Sequence, residues 1–430
     1  MLATRLRQIF LTPLGTRWSP EKQWRLRGVA LLMVMMSLAI MTAVVGDLGY
    51  NETIRYKLAI HNRDSLKAEA LADGSLKIVG LLLLVQGKLQ PMITQFASMG
   101  VPLPAYTLWE LLPMDSSSVQ NLTTGGFASM LGLDVSQALK KREEEQKLAK
   151  QNQAFKTTFI PPMGGFGAFE GSFKILIQDE ESKITLRGWI DTTDQKRRAL
   201  TRRLLAALFA PIRYNDLFEG RGAKREKVDR PTLIANIYDY ADIDELRIDP
   251  YALDTLWGQG GGGSEKEVYM TDRGILPKNA YFDSLDELRL VHGMTTDHMT
   301  LFKDSLSIYG EEGGKINILS AKDLVVEALI RFCAANDLDP LLLNQGWVDE
   351  TVSNWRKYQK QGKGPVSEAG FMSYLQSRTL KLNDELCKSA LGSQAGNFTV
   401  TSQATVGDVT RTLTIVIRAQ GDEKYYFRNN

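Results

Sequence analysis

The sequence predicts an α+β protein in which a long N-terminal transmembrane helix packs on an antiparallel sheet, with a large α-helical insertion between the strands of that sheet. Three observations predict it. One apolar run, residues 29–45, follows a basic leader; helical spacing then continues without proline as far as Leu89; and strand-like segments occur near residues 173–186 and again near 398–427, with mostly helical pattern between them.

The apolar run comes first. Residues 29–45 are apolar apart from Ser37 and Thr42, just short of the roughly 20 residues that span a bilayer. Arg5, Arg7, Arg17, Lys22, Arg25 and Arg27 precede it against the single acid Glu21, so the positive-inside bias keeps the leader in the cytoplasm and sends the remainder outward. An ordinary signal peptide has a shorter apolar core and small residues at a cut on its far side; Ala43 and Gly46 leave that alternative open, although the helical pattern continues past them.

Beyond the membrane, Ile54, Leu58, Leu66, Ala70, Val79 and Leu82 recur at roughly helical spacings among charged residues. From Val29 to an expected stop at Pro91 this helix would reach roughly 90 Å. Its first part needs lipid or neighbouring helices, and its second part needs a sheet or another chain along its apolar stripe.

Residues 91–165 read as a variable insertion and hinge, with prolines at 91, 102, 104 and 113, a charged helix over about 136–153, and the Pro161-Pro162-Met163-Gly164-Gly165 hinge. The charges of 140–150 read as a solvated helix face. Residues 173–177 and 183–186 then predict a β-hairpin around an acidic turn, Gln178 to Ser182. Residues 398–401 and 412–417 predict two more strands about the Val406-Gly407-Asp408 turn, and 424–427 a last one. The expected division is therefore 1–28 leader, 29–90 long helix, 91–165 insertion and hinge, 166–191 first strands, 192–390 inserted helical domain and 391–430 closing strands.

Composition narrows the function. Lys and Arg number 52 against 50 Asp and Glu, a net charge of +2, so no nucleic-acid partner is expected from charge. Cys333 and Cys387 are either a disulfide of an oxidising compartment or two buried thiols. His61, His292 and His298 lack the cysteine spacing of a zinc site, and no catalytic constellation or phosphate-loop motif is present; the Gly260 to Gly263 run reads as a loop. Asp239, Asp242, Asp244 and Glu245, with Glu265 and Glu267 beyond that loop, offer enough oxygens for a calcium ion, although not in EF-hand spacing; a solvated acidic loop is the alternative.

The chain after residue 28 resembles the K-type minor pseudopilins of type II secretion, the general secretion pathway protein K family. The resemblance rests on segments in order: Arg27-Gly28 followed by Val29-Ala30-Leu31-Leu32; Lys67-Ala68-Glu69-Ala70-Leu71; Asp179-Glu180; Tyr238-Asp239-Tyr240-Ala241-Asp242-Ile243-Asp244-Glu245; Pro277-Lys278-Asn279; the block from Phe282 to Met294; and that from Gly314 to Ala321. Departures mark a divergent member: the long 91–165 insertion, a loosely matched 331–380, Tyr240 in place of a tryptophan, and Leu319 in an asparagine-rich stretch.

The resemblance implies a pilin-like fold whose helical insertion is SAM-like or helix-hairpin-helix-like, and a non-enzymatic role at the tip of the periplasmic pseudopilus. It implies cleavage by prepilin peptidase after Gly28, where no side chain obstructs the bond, and methylation of Val29; otherwise Gly28 simply begins a helix. Leu31, Leu32, Met33, Met36 and Ile40 would line the membrane and filament helix. Met33 would be the fifth mature residue, where most pilin-like subunits keep a glutamate; a tip subunit has no neighbour above to pair with one. Calcium is the implied cofactor, held by Asp239, Asp242, Asp244 and Glu265. The implied partners are the I and J minor pseudopilins, the major pseudopilin, the peptidase, the inner-membrane assembly platform and membrane lipid. The expected location is a single pass of a Gram-negative inner membrane with the C-terminal part in the periplasm. Although 285–293 and 316–329 resemble DNA-binding hairpins, they lack an adjoining basic cluster, which favours core packing. The alternatives are a membrane-anchored competence-type DNA-binding protein, an anchored enzyme, and a minor pilin of a type IV pilus.

Overall fold

A computed structural model describes residues 20–98, 115–116, 170–187, 194–218, 228–252, 263–272, 274–311, 314–361, 367–418 and 424–429. The expected hinge at 161–165, the charged helix at 136–153 and most of the 91–165 insertion lie outside them. The chain falls into two units, Met1–Leu66 and Lys67–Asn430.

The first unit is the leading part of helix α1, Pro20–Ser98. Its span Gly28–Gly80 contains an 18-residue window of mean hydropathy 2.4 with none of it buried, long and apolar enough to cross a membrane. Leu31, Leu32, Met33, Met36 and Ile40 all stand exposed. The two polar side chains of the run make no outward demand: Ser37 and Thr42 donate to the carbonyls of Val34 and Leu38 at 2.9 and 2.7 Å, which keeps their hydroxyls satisfied within the helix itself.

Two boundaries differ from expectation. The helix begins at Pro20, before Gly28, and it runs through Pro91 to Ser98. Proline is well placed at a helix start. Inside a helix it removes one amide donor and favours a kink, and the backbone here continues past that loss.

In the second unit, α1 turns an inward stripe of Ala68, Leu71, Ala72, Leu76, Val79 and Leu83 toward a four-stranded antiparallel sheet. The spacing is that of one helix face. The strands are β1 (Ser172–Asp179), β6 (Asn397–Val406), β7 (Val409–Arg418) and β8 (Lys424–Asn429), in that order across the sheet. Phe173, Ile175, Phe398, Val400, Ala404, Leu413 and Ile415 complete this core, following the period-two alternation of a half-buried sheet. A buried polar pair sits within it: Ser75 Oγ and Ser402 Oγ are 2.6 Å apart, and Ser75 also donates to Ala72 O at 2.7 Å. Where the chain enters β1, Gly171 has φ +147, and a Cβ there would lie 2.7 Å from Thr405 O, so only glycine fits.

The β6–β7 hairpin forms as expected about Gly407, with Val406 opposite Val409. The hairpin expected at 173–186 does not form. β1 pairs antiparallel with β6, Ser172 opposite Thr405 and Asp179 opposite Phe398. The segment β2 (Ile184–Thr185) instead pairs parallel with β3 (Leu306–Ser307). The reason is the acidic turn: Asp179, Glu180 and Glu181 are buried and hydrogen-bonded to other segments, where a hairpin tip would be solvated.

Between β2 and β6 the chain is mostly helical: α2 (Gln195–Phe209), α3 (Arg230–Asp239), α4 (Glu265–Asp272), α5 (Thr296–Phe302), α6 (Asp323–Cys333), α7 (Gln345–Gln361), α8 (Glu368–Ser377) and α9 (Asp384–Ala390). Short β4 (Ile316–Asn317) and β5 (Leu391–Gly392) pair in parallel. These elements enclose a second, larger core that includes Leu204, Leu205, Phe209, Leu233, Leu329 and Trp355. Cys333 and Cys387 are joined across 54 residues, tying the end of α6 to α9; closing a loop of that length is worth about 4 kcal/mol in the chain-entropy model.

Candidate metal centre

The end of α3 positions the site. Asp229 caps the helix by accepting from Thr232 N at 2.8 Å, with Pro231 in the first turn, and the last residue is Asp239. The chain then turns through Tyr240 and Ala241 to Asp242. An isolated bridge between Leu246 and Ser264, reinforced by Arg247 N to Gly263 O and Glu265 N to Glu245 O, each 3.2 Å, delivers Glu265 as the first residue of α4. Tyr240 stacks on Phe282 at 5.6 Å, and the Tyr269 hydroxyl donates to Asn236 O at 3.0 Å, so aromatic packing holds the three segments together.

The result is a buried trio: Asp239, Asp242 and Glu265 each offer a carboxylate oxygen, and these atoms lie within 4.8 Å of one another. The side chains are 2, 3 and 1 % exposed. Asp239 Oδ1 accepts from Ile248 N at 3.1 Å. Asp242 Oδ1 and both Glu265 oxygens are buried without a donor. Burial, followed by mutual repulsion with Asp244 contributing, pushes Asp242 up to about 8 and Glu265 up to about 9. Asp239 rises to about 7, again chiefly through burial, partly offset by Ile248 N and Arg247. Without a cation the trio therefore holds protons near neutral pH.

Crowded, donor-poor carboxylates fit a hard cation that accepts oxygen ligands, such as calcium, which takes six to eight oxygens at 2.3–2.6 Å. Asp239, Asp242 and Glu265 would hold it, and the ion would supply the positive charge that the cluster lacks. Asp244 is not in the trio: it is exposed, and its Oδ1 accepts from Leu246 N at 2.7 Å. Glu267 is exposed and Glu245 pairs with Lys266. One oxygen escaped the sequence reading. Asn279 has φ 48, donates through Nδ2 to Asp244 O at 2.6 Å, and keeps a buried Oδ1 with no partner. In the sequence Pro277-Lys278-Asn279 stood only among the segments of the resemblance; the fold brings Asn279 against the acidic loop.

The other predicted positions separate. Gly28 and Val29 lie exposed in α1, and a Cβ at Gly28 would meet nothing within 4 Å. Leu285–Leu290 form a 3-10 helix with a Ser284/Glu287 capping box, and Leu288 and the following Val291 are buried. Gly293, at φ +82, packs against Val228, where a Cβ would come within 2.7 Å. The neighbouring cations are engaged: Lys278 with Asp283 and Glu287 at 2.7 and 2.8 Å, Lys303 with Asp286 at 2.6 Å. His298 caps α5, its Nδ1 2.7 Å from Thr295 Oγ1, and is buried against Phe218. A cavity of about 800 Å³ beside α2, lined in part by Arg202, Arg203, Arg331 and Asn336, includes none of the metal-centre residues.

No protein-family model matches the sequence, and no curated protein matches it. Among solved structures, the chain is similar to one in the crystal structure of the GspK-GspI-GspJ complex from the enterotoxigenic Escherichia coli type 2 secretion system. The identity is 15 %, the match covers 69 % of this chain and 97 % of that one, and the TM-score is 0.37. At this identity and score the likeness carries no functional weight.

Proposed function

We propose that this chain is a minor pseudopilin of a type II protein secretion system, anchored in the inner membrane of a Gram-negative bacterium. It would cap the periplasmic pseudopilus and help initiate its assembly for protein export. The observation that carries the reading is α1. One helix exposes a surface from residue 29 to 45 that is apolar but for Ser37 and Thr42, directly after a basic leader ending at Gly28, and farther along buries a stripe on an antiparallel sheet. An apolar surface of that kind needs lipid or other helices, and both are available to a subunit drawn from a bilayer into a helical filament.

Cleavage after Gly28 would place Met33 at the fifth mature position, where it offers no carboxylate to a subunit above; that suits a tip. The I and J minor pseudopilins would cover the α1 face that includes Leu31, Leu32, Met36 and Ile40, while the major pseudopilin, peptidase and assembly platform would act below. Asp239, Asp242 and Glu265 would hold calcium as a structural ion. The role is mechanical, with no catalytic step.

Co-purification of the tagged chain from native membranes after cross-linking tests this. Partners with pilin-like N-terminal helices, encoded with a type II system and lost when Ile40→Arg interrupts the apolar face, are expected. Partners from a type IV pilus, or salt-sensitive retention of DNA, would contradict it.

A further inference from the structure

Helix α2 is basic in a chain that is nearly neutral, with 52 Lys and Arg against 50 Asp and Glu. It carries Lys196, Arg197, Arg198, Arg202 and Arg203 and no acid from end to end. A helix start is the positive end of the macrodipole, so the three cations of its first turn oppose helix formation. Arg198 turns inward, where it is buried and donates to the Tyr238 hydroxyl at 3.4 Å. The other four serve no core, and they share a different feature of the surface.

Two cavities adjoin along this helix. The larger, about 800 Å³, takes Arg202, Arg203 and Ala206 from α2, Arg331 from α6 and Leu338 from the turn after it. The smaller, about 440 Å³, takes Lys196, Arg197 and Ala199 from α2. Arg203, Asn383 and Leu386 belong to both. Together they make one groove from Lys196 to Ala210, roughly 20 Å of helix. Five cations line it against two acids, Asp337 and Glu385. Arg197 and Arg331 are partly neutralised by Asp194 and Glu327 at 3.4 and 3.2 Å, yet Arg331 Nε is buried without an acceptor. Ala199, Ala206 and Leu386 give an apolar floor, and Leu338 stands 73 % exposed at the edge. The wall opposite α2 is fixed: the Cys333–Cys387 bond joins the neighbours of Ala334 and Leu386, while Asn383 N donates to Cys333 O at 2.9 Å and Ala335 N to Lys381 O at 2.8 Å. A groove braced in this way loses little freedom when a ligand enters.

We propose that this groove binds an acidic, extended peptide segment of a partner protein, with carboxylates on Lys196, Arg202 and Arg203 and apolar side chains on the floor between them. About six extended residues, at about 3.3 Å each, match its length. Guanidinium forks suit carboxylates, which they can hold through two parallel hydrogen bonds. A single headgroup or free phosphate would occupy only part of the groove. The aromatic among its described lining residues, Phe332, is buried, so the stacking platform of a single-stranded nucleic-acid site is lacking. The proposal does not depend on the pseudopilin reading.

The test is fluorescence anisotropy on the full chain in a non-ionic detergent, with a labelled peptide of about ten residues that alternates Glu and Leu and so exceeds the groove's span. Saturable binding is expected. Arg203→Glu, at an exposed position common to both cavities, should weaken it at least about tenfold through loss of charge-assisted hydrogen bonds. Ala206→Trp, which fills the groove and leaves its charge alone, should weaken it by a similar factor and carries the test if the first variant does not fold. Lys174→Glu, an exposed cation on β1 outside the groove, should leave it unchanged. Equal binding of a Gln/Leu peptide, binding that survives Ala206→Trp, or no saturation by about 1 mM overturns the proposal. So does displacement of the peptide by an equal concentration of phosphatidylglycerol, inorganic phosphate or single-stranded DNA.

Discussion

Asp179, Glu180 and Glu181 are buried as deeply as Asp239, Asp242 and Glu265, yet the two trios have opposite surroundings. Each carboxyl of the first is met by several donors: backbone amides at Gly396 and Asn397, the hydroxyls of Ser307, Ser320 and Thr399, the amide of Asn317 and the ammonium of Lys183. In the second, one amide serves Asp239, and three oxygens of Asp242 and Glu265 have no donor at all. A buried carboxylate costs several kcal/mol unless it is paired or coordinates a metal. The first trio is therefore satisfied by the fold's own donors, whereas the second is short of them and is relieved either by protons or, as proposed, by a cation.

The largest effect should come from turning the first trio into the second. Lys183→Met leaves Glu180 buried without its cation and is expected to cost about 3–5 kcal/mol, read by chemical denaturation; a loss below about 1 kcal/mol would remove the contrast between the trios. Next, calcium should do for the second trio what Lys183 does for the first. At a hundredfold excess over Kd it is expected to stabilise by about 2.7 kcal/mol, visible as a rise in Tm that chelation reverses and that Glu265→Gln abolishes. A Tm indifferent to calcium would make the trio a proton-bearing cluster only.

A pH series sharpens the same point. The metal-free values of Asp239, Asp242 and Glu265 are raised to about 7, 8 and 9. A raised folded-state value gives stability that is complete below the ordinary carboxylate range and is lost as pH climbs through 7 to 9. The chelated protein should therefore melt lower at about pH 9 than at about pH 6, and the stabilisation by calcium should grow across that interval as the ligands deprotonate. The smallest effect is expected at Asp244→Asn, which replaces a side chain outside the trio: calcium affinity should change by less than about threefold and stability by no more than about 0.5 kcal/mol. A loss of affinity comparable to that of Glu265→Gln would return Asp244 to the ligand set.

What was legible in the sequence follows the range of the physics involved. The apolar run at 29–45, the β6–β7 hairpin about Gly407 and the strand at 424–429 are set by local pattern, and all are found. The expected stripe is not: Ile54, Leu58, Leu66 and Ala70 are exposed, and the buried face of Ala68, Leu71, Ala72, Leu76 and Leu83 shares only Val79 with it, because helical spacing alone leaves the phase of the stripe open. The partner of β1 was not legible, because Ser172 meets Thr405 across the whole helical region and nothing local distinguishes a buried acidic turn from a solvated one. Pro91 misled for the reverse reason: a local rule was applied where the helix continues regardless. The acidic residue types together with the family resemblance nominated Asp239, Asp242 and Glu265, while the sequence left Cys333 and Cys387 open between a disulfide and two thiols. They also nominated Asp244, since sequence distance does not tell which carboxylate of a turn faces inward, and passed over Asn279, whose buried oxygen comes into view only because the chain folds back on Asp244.

The central claim is that α1 is a processed pseudopilin helix, and its most direct test is mass spectrometry of the N-terminal peptide and intact chain from native membranes, with Gly28→Asp as control. A mature chain beginning at N-methylated Val29, absent in the variant, is the predicted result. A chain that retains Met1, or one cut near Gly46, would contradict it.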